Sequence, residues 1–178
     1  MRRLRKAVIT MNDSGEFILI SNVTKDDIAA IIEIENENFG ADAFKRSQFI
    51  YALNNEKAIF IKAVRVRREK GAANKTAGYA LGFIRKTGRP GAQRLSARLY
   101  SIAVAADSQG ISIGKKLLTE FERLVKNKNC ANIYLEVKTG NSAAIKLYES
   151  YDYEKIGVIN NYYHDLSSAF KYVKRYRQ

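Results

Sequence analysis

The chain has little of what secreted and metal-held domains depend on. Its 178 residues include one cysteine, one proline, one histidine and no tryptophan. Cys130 alone cannot close an internal disulfide, and with His164 as the single imidazole it cannot build a zinc centre, so no metal site is expected. No apolar run approaches the roughly 18–20 residues that span a bilayer, so no membrane segment is expected. The first residues are basic (Arg2, Arg3, Arg5, Lys6). The polar break at Asn12, Asp13, Ser14, Gly15 and Glu16 leaves no signal-peptide core behind them. A reduced, cytoplasmic setting is the expectation. Acidic residues are also scarce, 18 against 31 Lys and Arg, for a net charge of +13.

What is present bounds the class from the other side. At 46% hydrophobic residues the chain can bury a core, which excludes a disordered basic tail. Its length suits one domain spanning residues 1–178, since two would each be small for a self-sufficient core. The bare charge total points towards polyanions such as nucleic acid. Its distribution is uneven, however. Residues 62–98 hold Lys62, Arg65, Arg67, Arg68, Lys70, Lys75, Arg85, Lys86, Arg89, Arg94 and Arg98 against only Glu69. Further basic clusters lie at residues 2–6 and 171–177, and the rest of the chain is net acidic. A nearly neutral domain with basic segments has this pattern.

Hydrophobic periodicity organises the chain. Residues 17–20 read as a strand, and Thr24-Lys25-Asp26-Asp27 as a helix start with a capping-box pattern. Ile28, Ile31, Ile32 and Phe39 follow helical spacing until Gly40, and a short helix is predicted over residues 44–53. Strands are predicted over 58–67 and 77–85, joined by a polar connection, and over 95–104 after the loop that holds Pro90. An amphipathic helix follows, with Leu117, Leu118, Phe121, Leu124 and Val125 on one face. A strand over 133–137, a helix opened by Asn141 or Ser142, and strands over 154–162 and 169–176 complete the order β-α-α-β-β-β-α-β-α-β-β. Cys130 reads as a small packing residue beside the strand that follows it.

The strand-loop-helix unit around residues 109–114 carries the chemistry. Loops of this kind aim backbone N–H groups and the positive end of the following helix at one spot, which suits a pyrophosphate. Small residues there let a ligand approach the backbone closely. Glu136 stands in an apolar strand, where an unpaired charge is costly, so it is paired, solvated in a cleft or functional. Asn141 is a natural helix N-cap and Tyr148 falls at helical spacing, where a core aromatic is also expected.

These residues together resemble the GNAT acetyltransferases, and within them most the ribosomal-protein-alanine N-acetyltransferases of the RimI type. The family pattern Gln/Arg-x-x-Gly-x-Gly/Ala falls on Gln109, Ser112 and Gly114. Leu-Glu-Val-Arg falls on Leu135, Glu136, Val137 and Lys138, followed by Asn141, Ala143-Ala144, Leu147-Tyr148-Glu149-Ser150 and Asn161-Tyr162-Tyr163. The likeness runs without gaps over residues 104–163, about a third of the chain. It departs at Ser112 and Asp152-Tyr153, where the family has Gly and Gly-Phe, at Ala106, where it has proline, and at Ser168-Ala169.

The resemblance implies an α/β GNAT fold of α+β type, with a mixed, mostly antiparallel sheet splayed between its fourth and fifth strands. It implies an enzyme that transfers acetyl from acetyl-CoA to an amine by direct attack, with no metal. Ile102, Ala103 and Val104 would offer their backbone edge to the pantetheine arm. Gln109, Gly110, Ile111, Ser112, Ile113, Gly114 and Lys115 would cradle the pyrophosphate, with Asn141 at the next helix entrance. Glu136 would take the proton of the amine and Tyr148 would give one to the departing thiolate. Tyr162 and Tyr163 would line the acceptor channel or else lie in a strand, and His164 would be a loop residue near the acceptor. The implied acceptor is a protein N-terminal α-amine, a ribosomal protein's among them. The departures leave open a lysine side chain or a small-molecule amine. The basic segments leave open an RNA- or ribosome-binding module on the same fold.

Overall fold

A computed structural model describes residues 8–11, 17–66, 74–89 and 91–176. The basic residues 2–6, Arg67, Arg68, Lys70, Pro90 and Arg177 lie outside them. The elements are β1 (Val8–Met11), β2 (Phe17–Asn22), α1 (Ile28–Phe39), α2 (Arg46–Asn54), β3 (Ala58–Val66), β4 (Lys75–Thr87) and β5 (Arg94–Val104). There follow α3 (Ile113–Lys126), β6 (Asn132–Lys138), α4 (Ser142–Glu149), β7 (Glu154–Ile159) and β8 (Ala169–Arg175). The α/β order matches the expected one with one strand added. β1 pairs antiparallel with β2, from Val8 opposite Ile20 to Met11 opposite Phe17. A four-residue strand carries too few alternations to stand out.

The chain divides into two compact units, one of residues 1–81 with 101–121 and one of residues 82–100 with 122–178. In the first unit the strands run in the order β1-β2-β3-β4-β5. β2 pairs antiparallel with β3, and Ile18 and Ile20 point into the core while Phe17 and Leu19 stay half-exposed. α1 begins where the Asp27 carboxylate accepts the Thr24 N–H at 2.7 Å. It buries Ile28, Ile31 and Ile34, and ends at Gly40, whose φ of 53° few other residues accept. Phe49 of α2 stacks on Phe60 (5.8 Å between ring centres) and meets Tyr79 edge-on (5.7 Å).

The buried Glu35 ties three parts of this unit together. One carboxylate oxygen accepts the Phe44 N–H at 2.9 Å, and the other accepts the hydroxyls of Tyr79 and of Ser101, the latter at 3.0 Å. α2 starts at Arg46 rather than at Phe44, because Lys45 is extended (φ −76°, ψ 154°) and its N–H donates to the Gln48 side chain at 2.7 Å. Burial pushes the Glu35 carboxyl up to about 7. Gly78 of β4 sits where a side chain has no room: an added Cβ would lie 2.7 Å from the Ala103 carbonyl oxygen and 3.2 Å from Leu117 Cδ1.

The second unit orders its strands β4-β5-β6-β8-β7. β6 pairs in parallel with β5 over four positions, from Ser96 opposite Asn132 to Leu99 opposite Leu135, where the register ends. On its other side β6 pairs antiparallel with β8 along its whole length. Ile133, Leu135, Val137 and Tyr172 form the buried layer. β7 ends at Ile159, three residues short of the expected boundary. Asn161 turns the chain at φ 51°, and the N–H groups of Tyr162 and Tyr163 both reach the Ser167 carbonyl, so these tyrosines lie in a turn and not in a strand. Among the described residues no helix is long and apolar enough to cross a membrane.

Two outcomes test this packing. Since the folded state holds the Glu35 proton up to about pH 7, the contribution of this group to stability should be fully present below the carboxyl's ordinary range. It should then fall, by up to about 3 kcal/mol, as pH rises through 7. Glu35→Gln should flatten that slope in urea titrations between pH 5 and 8. Gly78→Ala should lower stability by about 1–3 kcal/mol in the same assay.

Candidate active site

In the first unit the end of β5 leads into the expected anion loop. The Val104 carbonyl accepts the side-chain amides of Asn38 (3.2 Å) and Gln109 (3.4 Å). Ile102 and Val104 are half-exposed while Ala103 is buried, as strand alternation requires. The turn that follows is anchored by cations of the basic segment. Lys75 binds the Asp107 carboxylate at 2.6 Å, and Arg65 donates to the Asp107 carbonyl at 3.2 Å. The Lys75 ammonium holds the Asp107 carboxyl below its usual range.

Gly110 then takes φ 80° and Ser112 φ 62°. Left-handed residues interspersed in a turn bend successive N–H groups towards one concave spot, the geometry of an anion nest. Ile113, 1% exposed, plugs the start of α3 into the core, while Gly110, Ser112 and Lys115 stay exposed beside the first turn of amides. Ser112 thus keeps the conformation that the family's glycine adopts freely, at the steric cost an L-residue incurs there.

In the second unit, strand alternation places Glu136 on the half-exposed face of β6 with Tyr134 and Lys138. The Glu136 side chain is only 8% exposed, and it is paired: Arg98 of β5 directs both Nε and a terminal nitrogen at Oε2, each at 2.8 Å. The second nitrogen also donates to the Tyr162 hydroxyl at 3.1 Å. Arg98 was not singled out from the sequence. The signal for it was the alternation of β5 beside a parallel strand, visible only once that pairing is known.

Asn141 caps α4, its side-chain oxygen accepting the Ala144 N–H at 3.0 Å. Its amide nitrogen remains on an exposed residue. Tyr148 is 5% exposed and leans on Tyr153 at 5.6 Å. Burial, with Tyr163 adding to it, pushes its hydroxyl well above the ordinary phenol range, so the group stays protonated at neutral pH. Asp152 adopts φ 60°, a left-handed conformation that glycine reaches more easily. Cys130 is buried just after α3, and burial raises its thiol, which suits packing and not nucleophilic attack. His164 lies exposed in the turn between β7 and β8.

The first unit carries a loop that turns its amides outward before a helix, and the second carries a paired carboxylate and a buried, protonated tyrosine; the class of protein follows from the comparison with known families. Residues 26–153 match the acetyltransferase (GNAT) family, and the chain belongs to that family. It is 30% identical over 168 residues to an N-alpha-acetyltransferase of Saccharolobus solfataricus, covering 89% of this chain and 93% of that one. It is 37% identical over 67 residues to the [ribosomal protein bS18]-alanine N-acetyltransferase of Escherichia coli, covering 38% of this chain and 45% of the relative. Among solved structures, one of the NatC complex bound to Gag peptide and CoA contains a chain that matches 90% of this one at a TM-score of 0.77 and 22% identity. The expected fold and the expected acetyltransferase class both stand.

Ser112→Gly should relieve the left-handed strain of about 1–2 kcal/mol, partly offset by the greater chain entropy that glycine loses on folding. The net expectation is a gain of about 0.5–1 kcal/mol in thermal or urea unfolding, with acetyl-CoA affinity at least as high as before.

Proposed function

We propose that the whole chain acts as one acetyltransferase domain that moves acetyl from acetyl-CoA to the α-amino group of a polypeptide. The observation that carries this is the retention of Glu136, Asn141 and Tyr148 at the family spacing, in a chain that aligns over 89% of its length with an N-alpha-acetyltransferase. A ribosomal protein N-terminus is one acceptor in this reading, supported by the partial match to the bS18-alanine enzyme. A cytoplasmic setting goes with it.

In this mechanism the backbone of Ile102, Ala103 and Val104 receives the pantetheine amides, displacing the side-chain amides that occupy the Val104 carbonyl. The N–H groups of residues 110–115, with Gln109 beside them, hold the pyrophosphate, and Asn141 adds its free amide. Glu136 takes a proton from the amine. Arg98 fixes the position of this carboxylate. A peptide α-amine, with a reference pKa of only about 8, is already partly neutral near neutral pH, so the proton Glu136 takes is the one the nitrogen sheds as it attacks. The amine nitrogen bonds to the thioester carbon, the carbon–sulfur bond breaks, and Tyr148 supplies the proton that the thiolate takes up. No cysteine or metal takes part.

The basic segments contribute less to a nucleic-acid reading than their total suggests. Lys62 pairs with Asp27, Arg65 and Lys75 anchor the turn at Asp107, and Arg98 engages Glu136.

Isothermal titration should show acetyl-CoA binding in the micromolar range; no heat at hundreds of micromolar would sink the proposal. Glu136→Gln and Tyr148→Phe should each lower kcat about 10²-fold or more while leaving acetyl-CoA affinity and the unfolding midpoint close to the parent's.

A further inference from the structure

The half-exposed face of the second unit's sheet carries more cations than its own carboxylates occupy. Arg98 on β5 and Lys171 on β8 flank Glu136, the latter directly opposite it in the antiparallel register. Lys138, two residues along β6, pairs with Asp165. Arg85 of β4 lies 5.1 Å above the Tyr100 ring, and Lys171 lies 5.8 Å from the Tyr134 ring. Among the described residues neither Arg85 nor Lys171 forms an ion pair. Aromatic rings hold these two cations in place without neutralising them.

We propose that this face selects acceptor polypeptides with aspartate or glutamate in the positions just after the N-terminal residue, Arg85 and Lys171 being the specificity-determining cations. The proposal rests on the acetyl-transfer reading above, since it is Glu136 that the acceptor amine has to reach. Three observations favour an acidic acceptor over a basic or neutral one. The two unpaired cations lie on the same sheet face as Glu136, so a chain whose first residue meets Glu136 passes them with its next residues. A cationic surrounding disfavours an incoming ammonium and favours the neutral, reactive amine. The net attraction must then come from elsewhere in the acceptor, and carboxylates set against Arg85 and Lys171 supply it. An RNA strand also complements cations and rings, but its exocyclic base amines are weakly nucleophilic and it brings no aliphatic α-amine to Glu136.

The test is a peptide series with a constant N-terminal alanine and Asp/Glu, Gln or Lys at positions two to four. Each peptide is assayed for kcat/KM and, independently, for binding in the presence of CoA by anisotropy of a C-terminal label. The acidic peptides should exceed the neutral ones by about five-fold per matched charge at low salt, and the advantage should shrink at 300 mM salt. Arg85→Glu combined with Lys171→Glu should invert the acidic-to-basic ratio, and Arg85→Gln with Lys171→Gln should flatten it; circular dichroism checks that both fold. Equal kcat/KM across the parent's series overturns the proposal, as does an acidic preference that survives both double variants. If acetyl-CoA binds but no peptide is acetylated, the functional reading falls, and the anisotropy series alone decides the surface. Salt-sensitive binding of acidic peptides supports it. Equal binding of all peptides, or binding only of a homopolymeric RNA, overturns it.

Discussion

The second unit depends on the register of one seven-residue strand. β6 meets β5 over only four positions, yet it is also paired along its full length with β8, and together these ladders leave it one alignment. Side chains on a strand alternate, so the alignment sends Ile133, Leu135 and Val137 into the core and Tyr134, Glu136 and Lys138 to the other face. A slip by one residue would bury a carboxylate and an ammonium and expose three aliphatic side chains. The hydrophobic pattern therefore fixes where the proposed base stands. Its neighbours follow from the same alignment: Lys171 opposite it, and Arg98 close enough to bind it.

Charge is used locally in this protein. Lys62 and Asp27 form a largely buried pair, and Lys174 binds Glu122 at 2.7 Å with both side chains mostly covered. Lys75 and Arg65 hold the turn that precedes the anion loop. What reads in the sequence as a basic segment is, in these cases, a set of structural contacts. The cations left over on the second unit's sheet face stand out because they share that face with Glu136.

The two departures from the family's glycines share one physical explanation. Ser112 and Asp152 both sit at positive φ, a conformation that glycine would reach more easily. Aspartate tolerates this region better than most residues, and serine is small enough to reach it at a cost. The surrounding structure therefore imposes these conformations: the start of α3 is fixed by the buried Ile113, and the chain after α4 by the buried Tyr153.

Much of the fold was legible along the chain because the signals are local. The stripe of α3, the stop at Gly40, the cap at Asn141 and the alternation of β6 need only residues within a few positions of one another, and all are where periodicity put them. The candidate loop and the Glu136, Asn141 and Tyr148 spacing were legible through the resemblance to the family, whose motifs are likewise short in sequence. Other features were not, since their partners are distant in sequence. β1 is a strand only because β2 pairs with it, and the tyrosines at 162 and 163 leave the strand because Asn161 turns the chain. The partner of Glu136 lies 38 residues away, and the hydroxyls that hold Glu35 lie 44 and 66 residues away. By itself the sequence determined the order of the longer elements and their buried faces, because hydrophobic periodicity and capping act over a turn or a pleat, and its resemblance to the family pointed to the residue types for acetyl transfer. Only the tertiary structure decided which carboxylate is paired, which is buried and raised, and which cations remain uncompensated, because ionisation and pairing depend on neighbours that the chain brings together by folding.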